Sequence, residues 1–179
     1  MKKLFLIMTL ALCIPAAAIA DDTTPGPSTQ SSAGAACRAQ RTAIGDAAFK
    51  ALYGTNANKS NAFGKCVSKA AKSEQENDSA AKTACSTEQA DAAFAAAHGG
   101  KSFDQFYGTN KNLSNGFGKC VSSKSDKADV ADQSATIAAA KACKTEQKAD
   151  PAAFKAKYGT NANKSNAFGK CVSAKAKTK

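Results

Sequence analysis

Residues 53–68 read YGTNANKSNAFGKCVS. The same letters return at 158–173, and residues 107–122 carry the near copy YGTNKNLSNGFGKCVS. A chain that repeats itself at this length is an array of similar units. Each copy contains a cysteine, Cys66, Cys120 or Cys171, and each has another upstream, Cys37, Cys85 or Cys143. Pairing within each unit joins Cys37 to Cys66, Cys85 to Cys120 and Cys143 to Cys171. The motif therefore reads as part of a disulfide-closed module.

Compartment supports that reading. Residues 1–20 have the layout of a bacterial secretory signal: Lys2 and Lys3, an apolar stretch over 4–14, and Ala18-Ile19-Ala20 before a cleavage point ahead of Asp21. The apolar stretch is too short for a stable membrane anchor. Cys13 lies inside it and leaves with the signal, so six cysteines remain in the mature chain. An even number in an oxidising compartment reads as disulfides. Metal ligation fits poorly, because no CxxC pair occurs and the single histidine, His98, belongs to one copy alone. No metal or cofactor is expected, and the chain should be periplasmic or secreted.

Composition points to helices with little core. The mature chain of 159 residues holds 36 alanines but only 19 residues of Phe, Tyr, Leu, Ile and Val together. Alanine favours helix and buries little area. So few large apolar residues need cross-links, and a bridge closing about thirty residues contributes roughly 3 to 4 kcal/mol in the loop-closure picture. Without Lys2 and Lys3 the chain keeps 23 basic residues against 14 acidic ones, a net charge of +9. Such a surface attracts polyanions and also keeps an exported protein dissolved.

The expected fold class is all-α: an array of three small helical repeats, each closed by one disulfide. The boundaries are a signal peptide at 1–20, a disordered Pro/Gly/Ser-rich leader at 21–34, and repeats at 35–77, 78–127 and 128–179. Within a repeat, a first helix carries the upstream cysteine and a second, short one carries the aromatic residues before YG. In the third copy the short helix starts at the N-cap Asp150 with Pro151 in its first turn, and Asp46 is the counterpart in the first copy. Gly54 and Gly159 are expected to stop this helix in the left-handed conformation. A third helix, starting at Ser165 or Asn166 in the last copy, places Phe168, Cys171 and Val172 on one face. Tyr53 and Phe63 are expected to close a small core. The middle copy spaces its cysteines 35 apart against 29 and 28, and its surplus includes His98-Gly99-Gly100-Lys101, followed by a capping box at Ser102 and Gln105. Asn77-Asp78 and Ser125-Asp126 read as helix breaks between repeats, since these residue types prefer caps to helix interiors.

The repeated loop has several chemical readings. Calcium fails, because the loop carries a lysine and no carboxylate. Asn58-Lys59-Ser60, Asn112-Leu113-Ser114 and Asn163-Lys164-Ser165 are glycosylation sequons, which a bacterial source leaves bare. Turn and cap roles account for every residue type in the loop. What packing does not account for is the lysine before each second cysteine. Lys65, Lys119 and Lys170, with the amides of Asn58, Asn112 and Asn163, are therefore the candidate ligand contacts, presenting like charges at regular intervals along an array. Glu88 and Glu146 follow the upstream cysteines of two copies only, which suits a surface charge paired with lysine one turn away better than a catalytic acid. No nucleophile elbow, phosphate loop or HExxH occurs.

The string AAFKxxYGTNxNKSNAFGKCVS resembles repeats of alanine- and lysine-rich exported bacterial proteins, and the resemblance covers nearly the whole mature chain. It implies no particular activity. From the residues, the expected function is an exported, non-enzymatic repeat protein that binds anionic envelope or extracellular polymers: glycan, lipid phosphate or nucleic acid. The alternatives are a structural spacer of the envelope and a small basic secreted toxin or antimicrobial.

Overall fold

The computed structural model describes residues 33–177. The signal segment, Cys13 and all of the leader but residues 33 and 34 lie outside the described residues. Those two already belong to the first helix. The described residues form eight helices and no strand: α1 (Ala33–Ile44), α2 (Asp46–Tyr53), α3 (Ala62–Ala90), α4 (Phe94–Ala97), α5 (Phe103–Tyr107), α6 (Gly116–Ala149), α7 (Pro151–Tyr158) and α8 (Ala167–Ala176). The bridges join Cys37 to Cys66, Cys85 to Cys120 and Cys143 to Cys171, as pairing within repeats requires. Each ties the first helix of a repeat to its third.

Helix ends follow local chemistry, with two corrections. Asp150 accepts hydrogen bonds from the amides of Ala152 and Ala153 at 3.0 and 2.9 Å, and Ser102 with Gln105 forms the full capping box. Asp46, however, caps nothing. Gly45 takes the N-cap position with φ 84°, and Asp46 pairs instead with Arg41 and Lys50. Nor is the glycine after each tyrosine left-handed: Gly54 and Gly159 have φ of −71° and −74°. Glycine is required there for approach, since a Cβ on Gly159 would lie 2.7 Å from the Lys155 carbonyl and 2.7 Å from the Lys164 Cβ.

The expected breaks between repeats are also overturned. α3 runs through Asn77-Asp78 and α6 through Ser125-Asp126, so the third helix of one repeat is the first helix of the next. No Gly or Pro occurs between Lys65 and His98 or between Lys119 and Asp150, and the polar residues find partners across the fold. The Asn77 amide donates to Asp129 at 2.8 Å and to Asp132 at 3.1 Å, and the Ser73 hydroxyl donates to Asp132 at 3.0 Å. With Cys85 bonded to Cys120, numbers fall along α6 as they rise along α3. The two long helices form an antiparallel hairpin.

This hairpin decides which repeats meet. One core joins repeats 1 and 3, with Cys37, Ile44, Phe49, Cys66, Phe154 and Phe168 among its buried members. A second, smaller core lies at the other end, where repeat 2 buries Ala81, Cys85, Phe94, Phe103, Cys120 and Val121. Phe168, Cys171 and Val172 are all buried, as their helical spacing predicts. Tyr53 and Phe63 meet through Phe49, with ring centroids 5.0 and 6.5 Å from it. Among the described residues no helix is long and apolar enough to cross a membrane.

Candidate functional site

The repeated loop closes on itself in the same way three times. The Asn61 side chain accepts from the Thr55 amide at 3.0 Å and donates to the Thr55 hydroxyl at 2.7 Å. Asn115 does the same to Thr109, and Asn166 to Thr160. The Asn56 amide donates to Ser60, and the backbone amide of Ser60 donates to the Asn58 carbonyl oxygen at 3.1 Å. Asn112 and Asn163 hold Ser114 and Ser165 likewise. The candidate amides Asn58, Asn112 and Asn163 thus sit at exposed loop tips with their oxygens committed to turns. Left-handed backbone falls on the next residue, Lys59, Leu113 or Lys164, at φ 55–57°. Lys59 and Lys164 each return their ammonium to the carbonyl of Gly54 or Gly159, at 2.9 and 3.0 Å.

Each motif tyrosine reaches back to the residue three past the upstream cysteine. Tyr107 donates to Glu88 at 2.8 Å and Tyr158 to Glu146 at 3.1 Å, while Tyr53 donates to Gln40. The glutamates also bind lysines, but from other helices and not one turn away as expected. Glu88 takes Lys124 at 2.8 Å, and Glu146 takes Lys157 at 2.8 Å and Lys175 at 3.2 Å. Lys124 holds the Glu88 carboxyl below its ordinary range, and Lys157 does the same chiefly for Glu146.

Repeat 1 is built differently at this point. Gln40 replaces the glutamate and Ala70 stands where Lys124 and Lys175 stand in the other copies. The cause is burial. Helix α6 covers this side of α1, with the Gln133 amide donating to the Ala36 carbonyl at 3.0 Å. Gln40 is 6% exposed, against 32% and 30% for the Glu88 and Glu146 side chains. An ion pair taken out of water here would carry a desolvation cost that a neutral amide avoids. The same burial raises the Tyr53 hydroxyl to about 12.

Lysines converge where repeats 1 and 3 meet. The Tyr53–Thr55 turn of repeat 1 and the opposing loop and helix α8 of repeat 3 enclose an open groove of about 680 Å³. Lys59, Lys65, Lys69, Lys170 and Lys177 line it, and no carboxylate does. Lys65 and Lys170, the exposed lysines preceding the second cysteines, are thereby brought to one site. Lys119 is not: it lies at the opposite end of the hairpin, on the α6 turn beside Cys120. The lysines therefore form a two-copy cluster and a separate single charge, in place of three equal intervals. Asn58, Asn112 and Asn163 do not line the groove, whereas Asn161 and Asn166 do.

Sequence reasoning missed Lys69 and Lys177, and it named Lys59 only as a loop residue. Lys69 lies one turn past Cys66 and places its ammonium 6.0 Å from the centre of the Tyr53 ring. No local signal marks either lysine, because only the fold-back of α3 on α6 sets repeat 1 beside repeat 3. Comparison with protein-family models, curated proteins and solved structures finds no match to this chain.

Proposed function

We propose that this chain is an exported, non-enzymatic binding protein of the bacterial periplasm or extracellular space, and that its partners are anionic polymers. The observation that carries the reading is the groove between repeats 1 and 3, where five lysines gather without a carboxylate. Like charges held close are unfavourable until a counter-charge arrives, and concave walls focus their field on whatever enters. Elsewhere the charged residues that resemble catalytic groups have structural duties: Glu88 and Glu146 anchor tyrosines, and six cysteines form bridges. The hairpin also shortens the molecule relative to three repeats laid end to end, which favours binding over spacing.

The test is retention of the mature, disulfide-bonded chain on sulfated and phosphorylated resins across a salt series. Retention should be firm at low salt and fall steeply as salt rises, since each neutralised anion releases bound counterions. Flat, negligible retention near physiological salt removes the reading.

A further inference from the structure

Deepening that reading and resting on it, we infer that the groove is a subsite for one stretch of a linear acidic polysaccharide, and that repeats 1 and 3 bind it together while repeat 2 does not. Four features of the lining select this occupant. All its cations are lysines; the chain's only arginines, Arg38 and Arg41, are not among the lining residues. Lysine meets dispersed anionic groups as a point charge and lacks the planar fork that reads base edges bidentately.

No exposed aromatic platform lines the groove. Tyr53 is the one ring in the wall; it is buried and its hydroxyl is turned towards Gln40. Single-stranded nucleic acids rely on such platforms for base stacking. The lining also carries small hydroxyl and amide groups, Thr55, Asn161, Ser165 and Ser173; the first three take part in the loops' own hydrogen bonds, and their remaining donors and acceptors are of the kind that meet sugar hydroxyls. Finally, the lysines come from two repeats and line one concave groove, a shape that a linear chain can lie in and a flat bilayer meets poorly.

The three copies provide their own control, because Lys119 is the same motif residue as Lys65 and Lys170 without a second repeat beside it. The experiment compares the mature chain with Lys65→Gln/Lys170→Gln and with Lys119→Gln, all oxidised and with matched circular dichroism. The probes are heparin, polygalacturonate, single-stranded DNA and phosphatidylglycerol vesicles at one fixed ionic strength. The expected result is that both polysaccharides bind more tightly than the DNA or the vesicles. The double variant loses affinity for them on the order of tenfold, as two exposed ionic contacts allow, and Lys119→Gln stays within about twofold of the parent, within the range of a charge outside the site.

Equal losses in the two variants, or none in the double variant, overturn the groove while polymer binding stands. Preferential binding of DNA or vesicles overturns the polysaccharide. Failure of every probe to bind removes the polymer reading itself.

Discussion

At one end of the hairpin repeats 1 and 3 cover each other; at the other, repeat 2 has no neighbouring copy. The paired end buries Phe49, Phe154 and Phe168 in one shared core. The lone end compensates with the residues that make its cysteine spacing longer. Phe94, which precedes the surplus at 98–101, is buried beside Phe103, and His98 stacks on it at 3.8 Å and meets Phe106 edge-on at 4.5 Å. The single histidine, which the sequence places in the surplus of the middle copy, is thus part of an aromatic lid. Similar repeats differ according to what lies against them: repeat 1, covered by α6, replaces an ion pair by a neutral amide, and repeat 2, uncovered, grows its own cover.

If the two ends differ in this way, removing cross-links should separate them. Cys85→Ala/Cys120→Ala takes away a bridge between residues 35 apart in sequence and should cost about 4 kcal/mol in the loop-closure picture. Hydrogen exchange should then show residues 81–121 opening while the paired end stays protected. Loss of protection throughout the molecule would mean that the ends are one cooperative unit.

Phe94→Ala should cost about 3 kcal/mol, the range for deleting a buried aromatic ring, with the opening again confined to the lone end. Phe154→Ala, of similar size, should instead loosen repeats 1 and 3 together.

A third substitution tests why repeat 1 departs from its siblings. Gln40→Glu restores the carboxylate of the other copies in a covered position without its lysine, and should destabilise by about 2 kcal/mol at neutral pH. Adding Ala70→Lys should recover part of the loss. If Gln40→Glu alone is neutral in denaturant titration, burial is not the reason for the glutamine.

The smallest expected effect concerns pH. The folded Glu88 carboxyl titrates below its ordinary value of 4.5, first because of Lys124. Its contribution is therefore complete above that value and is lost as pH falls through the lower folded one. The loss should be no more than about 1 kcal/mol for so exposed a pair. It should disappear in Glu88→Gln, as judged by thermal midpoints on either side of the window. Repeat 1, with Gln40, has no such step at this position.

Much of this architecture is legible in the residues. Disulfide pairing follows from the repeat, Asp150 and Ser102 announce their caps, and the Phe168, Cys171, Val172 spacing names a buried face. What local signals miss is set at a distance. Asn77 and Ser125 have the chemistry of helix ends, yet continuous helix prevails because no Gly or Pro intervenes and Asn77 finds carboxylates 52 and 55 residues away. The groove is illegible for the same reason: Lys65 and Lys170 share a motif, but only the hairpin puts them side by side.

The sharing of helices between bridges has a further consequence for proteolysis. Among the described residues, every non-helical stretch before the C-terminal turn falls between the two cysteines of a bridge, while the stretches between bridges, 67–84 and 121–142, are wholly helical and packed on each other. A protease that nicks one of the three lysine- and asparagine-bearing loops cuts inside a covalent ring and releases no fragment. A nicked chain would keep its mass under oxidising conditions and fall into pieces only on reduction.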